Sequence, residues 1–336
     1  MIISKTPLRI SFFSGGSDMP SFFTKETGAA LSATINKYIY VITHETPHIG
    51  IKTMYDEVEI HSDISNMQHS ITKETLKYFN IEKEQTIASI SDILSKGSGL
   101  GSSSAFTVGL FKNLEYISIK NKLGDYYSDN TSSSEFLAEM AYEIERNRCG
   151  FPVGKQDQFA AAYGGFNLFE FRPSYNNVTV FNDPLVIEEL SRNLILVYSG
   201  FGRSASAILQ KQQEGMATDI TKFNAVRKGR DKAYEGIKYL KARDLDSFGN
   251  LFHEAWMDKK ATESSISNEY FDVIYDKAIK AGAIGGKLLG AGGGGFFLFY
   301  VKPHKRDSVI ESITKNTDCK VYDFKFVSDC SKIVNP

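Results

Sequence analysis

Apolar and polar residues along the chain alternate with two different periods, which separates strand candidates from helix candidates. Runs rich in β-branched and aromatic residues predict strands at 2–3, 8–13, 35–43, Val58–His61, 86–94, Phe166–Phe171, 193–199, Phe296–Val301 and 320–327. Apolar positions three and four residues apart predict helices at 70–79, 105–114, 132–148, 156–163, 203–214, 220–242, 244–259, 268–281 and 305–316. Helices packed on antiparallel strands are typical of the α+β class, which is the fold class we expect.

Local signals mark where some of these elements begin and end. Ser132-x-x-Glu135 resembles a capping box that opens the helix at 132–148, and Gly282 has the position of a C-cap glycine. Pro173, Asn176, Asn177 and Pro184 cluster within 172–184, a composition typical of a connection between folded units. We therefore expect two α+β domains, at 1–172 and 173–336.

Composition narrows the class of protein further. Apolar residues make up 42% of the chain and charged residues 24%, which is typical of a folded globular protein. The net charge of -1 argues against a nucleic-acid partner. The three cysteines lack metal-site spacing, and no apolar run is long enough to span a membrane. We expect a soluble, cytoplasmic protein without a nucleic-acid or membrane partner, and the sequence leaves the oligomeric state open.

The run GSGLGSSSA at residues 97–105 has the composition of a phosphate-binding loop. Glycines let the backbone curl around an anion, and the helix predicted directly afterwards adds the positive end of its dipole. The run is neither a Walker A loop, because no lysine follows its last glycine, nor a dinucleotide fingerprint, because it lacks the final glycine. A flexible linker joined to a helix is the alternative interpretation.

A second glycine-rich run, GGKLLGAGGGGF, holds seven glycines within the twelve residues 285–296. So many glycines cost backbone entropy on folding, and such a cost is usual where a backbone passes close to another group. A tight turn with close packing is the alternative. Two glycine loops in one chain favour the joint construction of one anion site.

These two loops, together with TPLRISFFSGGSDMPS at 6–21, resemble the three motifs of the galactokinase, homoserine kinase, mevalonate kinase and phosphomevalonate kinase (GHMP) superfamily. The resemblance implies a two-domain fold, with an N-terminal domain like ribosomal protein S5 domain 2 and a ferredoxin-like C-terminal domain. It also implies ATP and Mg²⁺ as cofactors, and a small molecule as the phosphoryl acceptor.

The residues of these motifs are similar to those of one group within this superfamily, the heptose 7-phosphate kinases. The phrases PLRISFFSGGSDMPSFF, LSATINKYIYV and GGKLLGAGGGGFF carry that likeness, and fucokinase-type enzymes share part of it. The likeness implies phosphorylation of the anomeric hydroxyl of D-glycero-D-manno-heptose 7-phosphate. The product would be heptose 1,7-bisphosphate, for nucleotide-activated heptose and surface polysaccharide. Galactokinases have an acidic–His–Thr–Asp phrase in place of Gly16-Ser-Asp18, which argues against galactose.

The resemblance also assigns roles to individual residues. Asp157 matches the catalytic aspartate, and Arg9 the basic residue near the transferred phosphoryl group. The ATP phosphates would be bound by the loop of Gly97, Ser98, Gly99, Leu100, Gly101, Ser102, Ser103 and Ser104. Ser103 and Glu145 match the metal ligands, although the helical pattern alone does not separate Glu145 from Glu143.

The sugar would be bound by six residues: Gly15, Gly16, Asp18, Arg203, Lys287 and Gly293. Arg203 is our candidate for the phosphate carried by the sugar, and Lys155, Lys37 and Arg148 are its rivals. Two further classes of function are open to test, a sensor that binds sugar and ATP without turnover and a nicotinamide oxidoreductase. The presence of Asp157 and Ser103 argues against the first, and the missing dinucleotide fingerprint argues against the second.

Overall fold

The structure is a computed structural model that describes residues 1–47, 50–55, 57–82, 84–93, 97–123, 132–202, 206–262 and 264–335. Its strands are β1 (Ile2–Phe13), β2 (Gly28–Glu45), β3 (Ile51–Met54), β4 (Val58–His61), β5 (Gln85–Ser91), β6 (Phe166–Phe171), β7 (Asn176–Phe181), β8 (Leu194–Tyr198), β9 (Ala283–Leu288), β10 (Phe296–Val301), β11 (Lys320–Tyr322) and β12 (Lys332–Asn335). They form one large sheet and one small sheet.

The helices are α1 (Pro20–Phe23), α2 (Ser70–Tyr78), α3 (Ser102–Leu123), α4 (Ser134–Tyr142), α5 (Gln156–Tyr163), α6 (Pro184–Arg192), α7 (Ser206–Thr218), α8 (Ile220–Ala242), α9 (Leu245–Thr262), α10 (Glu269–Ala281) and α11 (Arg306–Thr314). A π-helical turn, Glu143–Arg148, follows α4 without a break. Within the described residues, no helix is both long and apolar enough to cross a membrane.

The large sheet is organised around β2, a strand of 18 residues. One edge of β2 pairs with β1, and its other edge pairs with β6 near its start and with β5 near its end, all antiparallel. A strand of this length passes from one set of neighbours to another and joins them in a single sheet. Helices α3 and α5 pack against β1 and β2, with fully buried apolar side chains between them.

The small sheet has the order β11-β8-β10-β9, and all of its pairs are antiparallel. In chain order this is 4-1-3-2, with helices between the first and second strands and between the third and fourth. That arrangement is the ferredoxin-like βαββαβ unit. All six residues of β10 are buried, so this strand lies at the centre of the unit.

Aromatic side chains join the two halves of the chain. Phe12 and Phe13 of β1 pack against Phe248 and Phe252 of α9, with ring centroids 5.1 to 6.2 Å apart. Aromatic pairs at this separation add to the stabilisation that comes from burial alone. This contact fixes α9, and with it the segment that follows β9, relative to β1.

Several element predictions need correction. Residues 2–3 and 8–13 belong to one continuous strand, β1, and the strand predicted at 320–327 ends at Tyr322. The helix predicted at 132–148 begins after Ser133, whose side chain accepts the N–H of Phe136, and its last part is the π-helical turn. Ser132 does not cap this helix, because its hydroxyl donates to Glu115.

Four strands were missed: β3, β7, β9 and β12. Glycines lower the strand propensity of β9, yet its two glycines serve its packing. A Cβ on Gly285 would lie 2.5 Å from the carbonyl oxygen of Gly249 on α9, and one on Gly286 would lie 2.3 Å from the ring of Phe299. Strands β7 and β12 belong to the large sheet, so this sheet takes strands from both sides of residue 172. The division at 172 stays a prediction.

Candidate active site

A cleft of about 1400 Å³ opens between the large sheet and helices α7 to α9. Its walls carry residues from all three predicted motifs. From β1 and the turn after it come Arg9, Gly15, Gly16 and Asp18, and from the two glycine runs come the loop at 97–104, Lys287 and Gly290. The tertiary structure therefore brings distant segments of the chain to one cavity that is large enough for a small-molecule ligand.

The loop at 97–104 leads directly into α3 and lines the cleft. Gly97, Gly99 and Gly101 have φ values of 66°, 74° and 77°, which side chains with a Cβ rarely adopt. The hydroxyl groups of Ser98 and Ser102 lie 2.9 Å apart, and Leu100 turns its side chain into the core. The loop thus brings the N-terminus of a 22-residue helix to the cleft, which is the arrangement that binds phosphate groups.

The second glycine run packs directly on this loop. A Cβ on Gly290 would lie 2.5 Å from the Cα of Gly99, and one on Gly295 would lie 2.4 Å from the carbonyl oxygen of Ser98. The N–H of Phe296 donates to that same carbonyl at 3.0 Å. Gly293 donates its N–H to Ile266 and does not line the cleft. The turn at 289–295 is therefore a support for the loop at 97–104.

We expect Gly290→Ala to weaken nucleotide binding about tenfold and to lower the free energy of unfolding by about 1–3 kcal/mol. Gly290 has a φ of 63°, and the added methyl group would displace Gly99. Gly150→Ala is the control, because Gly150 has a similar φ of 72° and no atom within 4 Å of the added carbon. Nucleotide titration and urea unfolding measure both effects. Equal losses of nucleotide affinity in the two variants would contradict this account.

Arg9 connects the predicted phosphate loop, residues 97–104, to Asp157. Its Nε and Nη2 donate to Oδ1 of Asp157 at 2.9 and 2.8 Å, and its Nη1 donates to the carbonyl oxygen of Gly99 at 2.7 Å. The Arg9 side chain is 4% exposed, and that of Asp157, in the first turn of α5, is 32% exposed. Because Arg9 donates both to Asp157 and to Gly99, it fixes the Asp157 carboxylate relative to the loop. The carboxylate remains exposed to the cleft.

Glu145 is the most extensively hydrogen-bonded carboxylate of the site. Its Oε1 accepts from Ser103 at 3.2 Å and from Thr107 at 2.7 Å, and its Oε2 accepts from Ser104 at 2.8 Å and from Gln158. The residue is fully buried. Burial raises the pKa of Glu145, and the hydrogen bonds from Thr107, Ser104 and Gln158 act against that rise.

The structure separates Glu145 from Glu143. Glu143 lies at the surface, where its carboxylate accepts a hydrogen bond from the side-chain amide of Asn147. Its Oε1 lies 3.8 Å from Nε of Arg148. Ser103 and Glu145 together offer a hydroxyl and a carboxylate, oxygen groups of the kind that Mg²⁺ prefers, beside the phosphate loop. These two residues fit a divalent cation that is completed by phosphate oxygens and water. No group of three or more His, Cys, Asp or Glu side chains in the described ranges could hold a metal ion by itself.

Asp18 lines the cleft in the turn that follows β1. Its Oδ1 accepts the N–H of Gly16 at 3.0 Å, and its Oδ2 accepts the N–H of Gln156 at 3.1 Å. Burial raises the pKa of Asp18, the hydrogen bond from Gln156 lowers it, and the nearby charge of Asp157 raises it further. A carboxylate held in this way can accept hydrogen bonds from ligand hydroxyl groups.

Two lysines extend the positive charge around Arg9. Lys287 is buried and donates from Nζ to the carbonyl oxygen of Phe12 at 2.8 Å, and Lys259 of α9 also lines the cleft. Burial and the nearby charge of Arg9 lower the pKa of Lys287 to about 7. Burial, together with Lys287 and Arg9, lowers the pKa of Lys259 well below its ordinary value.

The pKa of Lys287 makes stability depend on pH. Its ordinary value is 10.5, so between pH 7 and 10.5 the unfolded chain binds more protons at this group than the folded protein. The free energy of unfolding should therefore rise with pH in this window. Below pH 7 both states are protonated and this contribution is constant.

We expect Lys287→Met to reduce the slope of unfolding free energy against pH by about 1 kcal/mol per pH unit between pH 7.5 and 8.5. Urea unfolding at several pH values measures the slope. Lys280→Met is the control, because Lys280 is exposed on α10. A slope that is the same in the wild type and the Lys287 variant would show that Lys287 keeps its proton throughout this window.

None of the residues predicted to bind the phosphate group of the sugar lines the described part of the cleft. Arg203 lies outside the described residues. The rivals Lys155, Lys37 and Arg148 do not line the cleft. Lys155 is paired with Glu139, and Arg148 lies beside Glu143. In the described part of the cleft, the lysine and arginine side chains are those of Arg9, Lys259 and Lys287.

Sequence reasoning missed an aromatic group at one end of the cleft. Tyr55 stacks on His69 at 4.3 Å, and Phe106 meets both rings edge-on at 5.3 Å. All three line the cleft, and Phe106 lies in the first part of α3, next to the phosphate loop. A flat apolar ligand group could bind here. These residues come from three separate segments, and no local motif connects them.

Sequence comparison relates the chain to known enzymes. The family models for the GHMP kinases N terminal domain and the GHMP kinases C terminal match residues 66–165 and 237–318. A D-glycero-alpha-D-manno-heptose 7-phosphate kinase of Campylobacter jejuni is 32% identical, over 98% of this chain and 97% of its own length. The chain belongs to the GHMP kinase family. Because enzymes of this family use ATP as phosphoryl donor, this GHMP kinase is an ATP-dependent phosphotransferase.

Solved structures confirm the predicted fold of this GHMP kinase. A D-glycero-D-manno-heptose 1-phosphate kinase from Bacteriodes thetaiotaomicron has a TM-score of 0.77 at 26% identity, with 100% of this chain and 99% of that chain covered. Lactococcus lactis galactokinase, in a complex with galactose, has a TM-score of 0.72 at 16% identity, over 98% and 94% of the two chains. The second likeness concerns the fold alone.

Proposed function

We propose that this GHMP kinase transfers the γ-phosphoryl group of ATP to the anomeric hydroxyl of a heptose 7-phosphate. The observation that carries the proposal is the bridge made by Arg9, which binds Asp157 on one side and the carbonyl oxygen of Gly99 on the other. One side chain thereby sets the distance between a carboxylate that can receive a proton and the loop that would hold the phosphates.

The phosphate chain of ATP would lie along the loop at 97–104, with the adenine toward Tyr55, His69 and Phe106. Ser103 and Glu145 would hold Mg²⁺, which supplies charge neutralisation for the phosphates. Asp157 would orient the acceptor hydroxyl and accept its proton. Arg9 would stabilise the negative charge on the transferred group, since its guanidinium is held rigidly and away from water.

Asp18 and the turn at Gly15 and Gly16 would bind the sugar. The N–H groups that Asp18 accepts come from Gly16 and Gln156, so its carboxylate is oriented before any ligand arrives. A Cβ on Gly16 would lie 2.8 Å from Nε2 of Gln212, which places the Gln212 amide on the same side of the cleft. Arg203 stays our candidate for the phosphate group of the sugar.

The choice of heptose rests on the residues of the motifs and on two relatives whose names state a heptose phosphate. A free-sugar kinase of the fucokinase type is the second candidate. It is supported by 26% identity to a bifunctional fucokinase/GDP-fucose pyrophosphorylase of Arabidopsis thaliana, over 95% of this chain and 32% of that protein. We expect a cytoplasmic location, which would give the enzyme access to ATP.

The test measures ADP release with ATP and Mg²⁺ across heptose 7-phosphate, free heptose, fucose, galactose and mannose. We expect turnover with heptose 7-phosphate and at least 100-fold lower kcat/KM for free heptose, because a lost charged contact typically costs a factor of this order. Turnover with fucose at equal or higher kcat/KM would favour the free-sugar candidate. ATP binding without turnover on any sugar would favour a sensor.

A further inference from the structure

Lys259 is a charged residue near the end of α9 that no motif singles out. Its Nζ donates to the carbonyl oxygen of Leu288 at 2.8 Å and to that of Gly290 at 2.7 Å. Leu288 is the last residue of β9, and Gly290 is the glycine that touches Gly99 of the phosphate loop. The lysine therefore binds the turn at 289–295 at the point where it meets the loop at 97–104.

The two hydrogen bonds determine how the peptide groups of this turn are oriented. The carbonyl groups of Leu288 and Gly290 point toward Lys259, whereas the carbonyl oxygen of Leu289 lies 2.7 Å from the position of a Cβ on Gly99. Gly290 and Ala291 line the cleft, and within the described part of the chain their N–H groups have no hydrogen-bond acceptor. N–H groups attract phosphate, whereas carbonyl groups repel it.

We propose that Lys259 is a positioning residue for the phosphates of ATP. By binding the carbonyl groups of Leu288 and Gly290, it holds the turn at 289–295 against the phosphate loop, with carbonyl groups turned away from the ligand. This inference rests on the proposed placement of the ATP phosphates at 97–104, and it does not depend on which sugar is the acceptor.

Charged groups lie near the lysine on β1, β9 and α9. Arg9 on β1 and Lys287 on β9 are the nearby positive charges that, with burial, lower the pKa of Lys259. Asp258, its neighbour on α9, is paired with Lys232 at 2.7 Å. A lysine still donates through N–H groups when it is neutral, so its binding of the two carbonyl groups persists on either side of its pKa.

The test compares the binding of ADP and of adenosine by calorimetry in the wild type, Lys259→Met and Lys260→Met. Lys260 is the matched control, one residue further along α9, where it pairs with Asp272 at 3.2 Å. We expect Lys259→Met to weaken ADP binding about 10- to 100-fold, because the two hydrogen bonds that orient the turn are lost. Adenosine binding should change less than twofold, and Lys260→Met should bind both ligands as the wild type does.

Hydrogen exchange adds a readout that does not involve a ligand. Amides of the turn at 289–295 should exchange faster in Lys259→Met than in Lys260→Met, while amides of α3 should be unchanged. ADP affinity within twofold of the wild type would overturn the proposal, and so would equal losses for ADP and adenosine with unchanged exchange in the turn. If Lys259→Met does not fold, Lys259→Gln is measured in the same way and judged by the same outcomes.

These measurements separate the inference from the proposed function. Neither ligand requires a sugar, so the Lys259 result stands or falls without the heptose assignment. Absence of turnover with every sugar, together with selective loss of ADP affinity in Lys259→Met, would contradict the proposed reaction and support the role of Lys259.

Discussion

Asp157→Asn should lower kcat by about 10² to 10⁴ while the KM for ATP changes less than threefold. General base catalysis by one side chain contributes a factor of this order. The substitution keeps the shape of the side chain but removes the charge that, in the proposed function, orients and deprotonates the acceptor hydroxyl. ATP affinity should persist, because in the proposed function the phosphates are bound by the backbone of the loop at 97–104. Steady-state ADP release with saturating sugar measures both constants.

The bridge from Arg9 gives this prediction an internal control. Arg9→Met removes the partner of Asp157 and the contact to Gly99. If the two residues act as one unit, the double variant should have a kcat close to that of the slower single variant, because effects within a unit are not additive. A kcat above one tenth of the wild-type value in Asp157→Asn would show that another group handles the hydroxyl proton.

Glu145→Gln should raise the Mg²⁺ concentration needed for half-maximal rate more than tenfold and lower kcat/KM for ATP about 100-fold. The amide brings no negative charge, and its NH₂ group would replace one of the two oxygens, each of which now accepts from two donors. Leaving a buried donor unpaired costs about 1–3 kcal/mol, so the free energy of unfolding should fall by a similar amount. Titration of the rate with Mg²⁺ and urea unfolding measure the two effects.

Glu143→Gln is the matched control for this prediction. Glu143 lies two residues earlier in the same helical turn and accepts from Asn147 at the surface. We expect its substitution to leave the Mg²⁺ dependence unchanged within twofold. If Glu143→Gln shifts the Mg²⁺ dependence and Glu145→Gln does not, the metal site lies on the other face of this helix.

Much of the fold followed from local patterns. The long helix α8 and the strand β10 have the bounds that their pattern predicted, and α10 begins one residue later than predicted, because each buries one continuous apolar face or is buried throughout. The strand β9 was not predicted, because its glycines lower strand propensity. These glycines are explained only by the helix and the aromatic ring that pack on them. The N-cap of α4 was misplaced by one residue, because Ser132 and Ser133 both have the chemistry of a cap.

The choice between Glu143 and Glu145 shows where sequence reasoning ended. Both flank the apolar face of a regular helix, so a period of 3.6 residues treats them alike. The chain here is π-helical, with the N–H of Cys149 bonded to the carbonyl oxygen of Ile144 at 2.9 Å. This wider turn changes which side chains face the phosphate loop. The resemblance selected Glu145, and the structure shows that Glu145 is the residue that reaches Ser103.

The sequence alone was sufficient to predict a phosphate loop at 97–104 and to recognise the family resemblance, because glycines, serines and the helix after them act over a few neighbouring residues. The tertiary structure decided how the loop is supported and where its charges meet. Lys259, Lys287 and Arg9 are far apart along the chain, and each alone has the pattern of an ordinary charged residue. They come together because α9 packs on β1 and beside β9, and that packing depends on side chains distributed over the whole chain.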